Sequence, residues 1–215
     1  YAKKPLPEKA EAVMPESWAE EYPPFKIVGD CSALLISDIH IPFHDRAALA
    51  AAIEAGRERG VNVVILNGDA LDFHRVSRYE HDGTKLTYDM EVEYGRQFLA
   101  HLRERFPKSR IVFKEGNHEE RLEKYILSKA GALYGVVTVP KLLDVAALGI
   151  EYVGDQRVIH LGKLRVIHGH EYGGGVSAPV NAARWLMQRA RKPAVCGHLH
   201  QTSEHTENTI DGDQI

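Results

Sequence analysis

Seven side chains able to bind a metal stand just beyond short apolar runs: Asp38, His40, Asp69, Asn117, His168, His198 and His200. Imidazole, carboxylate and amide oxygen together suit manganese, iron, zinc or nickel better than the all-oxygen sites of magnesium and calcium. The donor set does not choose among those four. Asp38-Ile39-His40 and His198-Leu199-His200 each carry two ligands two residues apart. Strand periodicity turns such a pair to one side, where both can converge on one ion. Asp69 is a carboxylate that can bridge two cations and offset their repulsion. His118, beside Asn117, adds a group able to move a proton. A lone Asp-x-His is ordinarily a polar loop, but five such coincidences in one chain describe a site built by the whole fold. Two adjacent ions activate water and neutralise a phosphoryl group, so the chemistry expected is phosphoester hydrolysis.

The elements that must position these groups read as strands alternating with helices. The runs 33–37, 62–66, 110–113, 164–167 and 194–196 are apolar almost throughout, which predicts a sheet covered on both faces. Each ligand follows the carboxyl end of such a run, where open α/β sheets place their sites. A helix is expected over 46–59, capped by Asp45, with Ala48, Ala51, Ala52 and Ala55 as its packing face. A second is expected over 89–106, with Met90, Tyr94, Phe98 and Leu102 at intervals of four. A third covers 119–129, and a fourth runs from Ser177 or Ala178 to Lys192, with Pro179 in its first turn. The pattern is that of an α/β protein.

Residues 1–30 carry Pro5, Pro7, Pro15, Pro23 and Pro24 and read as an irregular arm, pinned by Trp18, Tyr22 and Phe25. Residues 31–215 read as the catalytic domain. The apolar stretch Val136 to Gly149 reads as an insertion forming a wall of the site or a self-association surface, which leaves a homo-oligomer open. The sequence opens at Tyr1 rather than methionine, and Asp211-Gly212 reads as a hairpin turn lacking its second arm. A continuation of the natural chain is therefore expected, and the domain is read as incomplete at its C-terminus.

Asp38-Ile39-His40, Gly68-Asp69-Ala70-Leu71-Asp72, Gly116-Asn117-His118-Glu119, His168-Gly169-His170 and Gly197-His198-Leu199-His200 resemble, in order, five motifs of the calcineurin-like metallophosphoesterase superfamily. The resemblance covers about residues 32–205. It implies an α/β sandwich, two mixed β-sheets flanked by helices, with a dinuclear centre. It implies that Asp38, His40 and His200 hold the first ion and that Asn117, His168 and His198 hold the second. Asp69 would bridge them. The implied cofactors are two divalent or transition metal ions, manganese first, with iron, zinc or nickel as alternatives. His118 resembles the family's general acid. Asp72 is expected to orient a histidine from behind, with a plain salt bridge or loop cap as an equal alternative. Glu119 reads alternatively as a cap of the helix that follows.

The loop Phe73 to Tyr79 follows the second motif and combines cations with rings, which suits a phosphate carrying an aromatic or nucleoside group. Arg75 and Arg78 are the expected phosphate clamp, with His74 beside them. His170 and Tyr172 are expected on the opposite wall. The run Gly173-Gly174-Gly175 lacks the Lys-Ser/Thr ending of a nucleotide P-loop. Arg184, Arg189, Arg191 and Lys192 give one helix a basic aspect, on which a nucleic-acid backbone could lie. Trp185 and Leu186 read there as core anchors.

With 215 residues, 44% hydrophobic and 27% charged, the composition is that of one soluble domain. No run approaches the roughly 18 apolar residues of a membrane span, so no membrane association is expected. Cys31 and Cys196 do not make a disulfide scaffold, and a cytoplasmic location is expected. A net charge of -3 advertises no global polyanion surface but leaves room for a local basic patch. The expected activity is hydrolysis of a phosphomonoester or phosphodiester, the substrate including nucleotides. A DNA/RNA nuclease and a protein phosphatase are the enzyme alternatives. A non-catalytic binding or scaffold protein on the same fold is the alternative of another class.

Overall fold

The computed structural model describes residues 14–78, 85–172 and 181–208, with residues 210, 212 and 214. The chain begins with β1 (Phe25–Ile27), β2 (Ala33–Ile36), α1 (Arg46–Glu58), β3 (Val63–Asn67) and α2 (Tyr88–Arg105). It continues through β4 (Arg110–Lys114), α3 (Glu119–Lys129), α4 (Val139–Leu142) and β5 (Ile150–Val153). It closes with β6 (Ile159–Leu161), β7 (Leu164–Val166), α5 (Ala182–Ala190) and β8 (Ala194–Val195).

Among the described residues, two four-stranded sheets form the centre. One has the order β2-β3-β4-β5 and is parallel throughout. The other has the order β1-β6-β7-β8 and is mixed, with β6 and β7 antiparallel. The pleat divides β3 cleanly. Val63 and Ile65 face the second sheet, packing with Val112, Val153, Ile27, Ile159 and Val166. Val64 and Leu66 face the opposite way, with Ile111 and Phe113, onto Ile53, Leu99, Leu102 and Leu122 of the first three helices. Trp185 and Leu186 of α5 cover the outer side of the second sheet through Ile167. The result is an α/β sandwich with helices outside both sheets, which is why the central strands read as apolar on both faces.

The helices form where expected, but two pack differently. Asp45 caps α1 by accepting from the Ala47 and Ala48 amides at 2.9 and 3.0 Å. The buried side of α1 is Ile53 and Gly56, not the alanine face, since Ala48 and Ala51 are exposed. Gly56 lets the helix pack closely: a Cβ there would lie 2.8 Å from the Leu34 side chain, which would have to shift. In α2 the buried stripe is Val92, Gly95, Leu99 and Leu102, while Met90 and Tyr94 are exposed. Phe98, between the two, is half-buried against the core.

The amino-terminal stretch is not irregular to its end, because β1 pairs in parallel with β6. Phe25 anchors it, sitting beneath the Arg110 and Arg157 guanidinium groups at 5.2 and 5.7 Å, whereas Trp18 is 94% exposed. The stretch 136–149, expected as a wall or a self-association surface, instead packs into the main core through Val139, Leu143 and Val145. Cys31 and Cys196 are free thiols. The Gly173–Gly175 run, Pro179, the expected helix start at 177–178, Tyr79 and Asp211 lie outside the described residues. Among the described residues, no helix is long and apolar enough to cross a membrane.

Candidate metal centre

The loops leaving β2, β3, β4, β7 and β8 meet at one end of the sandwich. There the seven predicted ligands and His118 come together as overlapping clusters. Asp38, His40 and His200 form one group, and Asp69, His168 and His198 another, with ligand atoms within 4.8 Å of each other. A third group of the same span joins His40, Asp69 and His118. Asn117 completes the set, its Oδ1 lying 3.1 Å from His168 Nε2.

Asp69 sits at the junction. Its Oδ1 accepts the His118 backbone N–H at 2.9 Å. Its Oδ2 faces His168 Nε2 at 3.2 Å, His118 Nε2 at 3.7 Å and His40 Nε2 at 3.9 Å. The exposure of the two sides differs. Asp69 and His168 are buried, while the side chain of His200 is 60% exposed, so the centre opens past His200.

The backbone is bent to make this convergence. Asp38, His40, Asp69, His198 and His200 all have positive φ, between 50° and 69°. They are half of the ten non-glycine residues in that region among those described. Such conformations cost on the order of 1–3 kcal/mol each and concentrate at functional sites. Hydrogen bonds between loops hold them: Asp38 N–H to the Gly68 carbonyl at 3.1 Å, and His40 N–H to that of Asp69 at 2.9 Å. The Asp38 carboxylate in turn accepts the His198 N–H at 2.9 Å. Gly116 and Gly197 allow the loops to touch. A Cβ at Gly116 would fall 2.2 Å from Asp69 Oδ1, and one at Gly197 would fall 1.9 Å from Ser37 Oγ.

The hydrogen bonds fix the histidine tautomers in a way that suits a cation. His168 Nδ1 faces the Asn67 carbonyl at 2.8 Å and must donate to it. Its Nε2 lone pair is then aimed at two further acceptors, Asn117 Oδ1 and Asp69 Oδ2. Three acceptor atoms facing one another want a positive charge between them. With no ion bound, a proton on Nε2 supplies that positive charge: burial alone would lower the His168 pKa, but the Asp69 carboxylate overrides it and raises the value to about 9. His40 repeats the arrangement, with Nδ1 on Asp72 Oδ1 at 3.2 Å and Nε2 turned inward. Burial opposes its protonation too, yet Asp72 and Asp69 raise it. His198 is lowered, by burial and by the neighbouring His168. Burial would raise Asp69, but its histidine partners bring it down to about 2.

The remaining predicted residues divide. Asp72 Oδ1 lies 3.2 Å from both His40 Nδ1 and His118 Nδ1. Burial would raise its carboxyl, and these two hydrogen bonds instead hold it below the ordinary carboxylate range. Arg78 lines a cavity with Asn117 and Arg121. Arg75 does not: its Nε donates to the Leu86 carbonyl. His74 lies 3.8 Å from Asp72, and its amide donates to Glu91 at 3.2 Å, which ties it to α2. His170 Nε2 is 2.7 Å from Glu120 Oε1, behind the His168 ring. Tyr172 lines a separate cavity with Val158, His160 and Trp185.

Sequence reasoning missed three supports. Arg121 donates to the Asp72 carbonyl and to His118 Nε2, both at 2.8 Å. Its i+3 spacing from His118 at the helix start was the available signal. Glu119 stands in the first turn of α3 and does more than favour the helix start. Its buried carboxylate accepts the N–H groups of Asp69, Leu71 and Gly116 and so binds two ligand loops together. Lys114 and Glu171 form a buried ion pair at 2.8 Å, and Glu171 also accepts the His168 amide at 2.9 Å.

These overlapping His/Asp clusters define the class: a dinuclear centre of the kind that hydrolyses phosphate esters. The chain belongs to the calcineurin-like phosphoesterase family, whose model matches residues 32–202. It is therefore a metal-dependent phosphoesterase. The Gene 54 proteins of Mycobacterium phages L5 and D29 are similar to it. Each is 29% identical over 177 residues, covering 78% of this chain and 68% of the relative. No solved structure matches.

Proposed function

We propose that the protein hydrolyses a phosphomonoester or phosphodiester at two metal ions, with manganese the favoured metal. The observation that carries this reading is the position of Asp69 between two ligand clusters, with His118 beside it. Asp38, His40 and His200 would hold one ion, Asn117, His168 and His198 the other, and Asp69 both. When bound, the pair supplies an activated water, orients the phosphoryl oxygens and neutralises their charge.

The protein's own groups do the rest. His118 Nδ1–H donates to the Asp72 carbonyl, which leaves Nε2 to carry a proton to the leaving oxygen. Arg121 now donates to that same Nε2. A proton on Nε2 would set two donors against each other and turn the guanidinium toward the cavity, where a phosphoryl oxygen can accept from it. Asp72 keeps the His40 and His118 rings oriented. The contacts of Arg75 with Leu86 favour Arg78 and Arg121 as the phosphate-binding cations. The complete ligand set argues against the scaffold reading.

The test is turnover of an aryl phosphate and a bis-aryl phosphate by metal-stripped protein reloaded with manganese, iron, zinc or nickel. Manganese should restore the most activity. If no metal restores turnover of either ester or of a nucleotide panel, and the protein binds a macromolecule instead, the scaffold reading replaces this one.

A further inference from the structure

A cationic groove leads away from the metal centre along α3. The cavity, about 700 Å³, is lined by Arg78, Asn117, Arg121, Lys124, Tyr125 and Lys129; among the described residues no acidic residue lines it, although Lys124 pairs with Glu120 one turn back on the helix. Asn117 marks its inner end, at the ligand cluster. Positions 121, 124, 125 and 129 continue outward on successive turns of the helix. From Arg121 to Lys129 the helix rises about 12 Å. Successive phosphates of a stacked strand are ~3.4 Å apart along its axis. The groove therefore extends about three phosphates beyond the centre. Tyr125 is 44% exposed on this face and offers a ring to an unpaired base. The groove contrasts with the basic helix picked out from sequence: on α5, Arg189 stacks over Trp185 at 5.7 Å, away from the metal ligands.

We propose that this groove binds a single-stranded nucleic acid, holding the phosphates that flank the one being cut. The proposal rests on the phosphoesterase reading above and names its substrate class. A single small phosphate ester needs no cations this far from the metals, whereas a strand with a charge on every residue meets them in sequence. An unpaired strand also supplies the bases that Tyr125 can stack. In the reaction, a water oxygen bonds to phosphorus as the P–O bond to one sugar breaks. The departing sugar oxygen takes a proton and leaves as a hydroxyl, and the other fragment keeps a terminal phosphate.

The test uses the full chain loaded with manganese, a fluorescent dodecathymidylate and a bis-aryl phosphate. The ratio of kcat/KM for the oligonucleotide to that for the aryl diester should fall about tenfold in Lys124→Gln/Lys129→Gln and again in Tyr125→Ala. Loss of two phosphate contacts should also reduce the slope of log binding against log salt by about 1.4. Lys124→Arg/Lys129→Arg should restore both. An unchanged ratio and slope would overturn the proposal, as would wild-type protein that cleaves the aryl diester but neither cuts nor binds the oligonucleotide. Tighter binding of duplex than of single strand would overturn the single-strand assignment. Wild-type protein that cleaves no ester would instead remove the phosphoesterase reading beneath it.

Discussion

Replacing Glu119 by glutamine would test whether the ligand loops are held by one buried carboxylate. Oε2 accepts the Asp69 and Gly116 amides at 2.9 Å each, and Oε1 accepts the Leu71 amide at 3.1 Å. Glutamine keeps the volume but has only one acceptor oxygen. Seated over Asp69 and Gly116, that oxygen leaves the NH2 group facing the Leu71 N–H, donor against donor. A charge-assisted hydrogen bond is worth about 1.5–3 kcal/mol, and the unpaired buried amide adds a penalty of about 1–3 kcal/mol. Burial and the charge on Asp69 raise the Glu119 pKa, so removing its charge relieves some repulsion and offsets part of the loss. The net expectation is about 2 kcal/mol of destabilisation, or roughly 1 M in the urea midpoint for a domain with an ordinary denaturant slope. Since the Asp69 loop loses its anchor, affinity for manganese should fall about tenfold, by the rule for groups that orient ligands. Urea unfolding and metal titration read the two effects separately. A variant within about 0.5 kcal/mol of wild type, with unchanged metal affinity, would refute the reasoning.

Two further outcomes are expected. His118→Asn should retain both metals but slow esters with poor leaving groups most, measured as kcat/KM across a series of aryl phosphates; an equal loss across the series would contradict the general-acid role. Glu91 is fully buried in α2, and burial raises its carboxyl from 4.5 to about 7. The folded state thus holds the proton more tightly, so this contribution to stability is complete below pH 4.5 and is lost as pH rises through 7. The loss is at most about 3 kcal/mol. Glu91→Gln should be more stable than wild type at pH 8, by a margin that vanishes near pH 4.5, as read by urea unfolding at both pH values. A variant less stable at pH 8 would count against the assignment.

The ligands could be read before the fold because each follows a short apolar run that ends in a glycine-rich or polar motif. Val63 to Leu66 shows the reason: its two faces enter different cores, so no polar residue interrupts it. The second sheet was harder to see. Its strands β1 and β6 have three residues each, too few for a period to emerge, and Lys26 and His160 interrupt them, whereas β7 and β8 showed as the runs 164–167 and 194–196. Packing faces misled where abundant residues outnumbered decisive ones, as the alanines did over Ile53 and Gly56 in α1. The groups around the ligands were legible only in part. Asp72 stood out by its motif, but Glu119 acts across 50 residues on Asp69, and Lys114 across 57 residues on Glu171. Only tertiary structure brings such pairs together. Arg121 was within reach of a helical-spacing argument, because it lies one turn from His118.

The account rests on two ions sharing Asp69, and anomalous diffraction at the manganese edge from crystals of the wild-type protein tests it most directly. Two peaks are predicted, one among Asp38, His40 and His200 and the other among Asn117, His168 and His198, with the Asp69 carboxylate touching both. A single peak, or two peaks of which only one contacts Asp69, would contradict it.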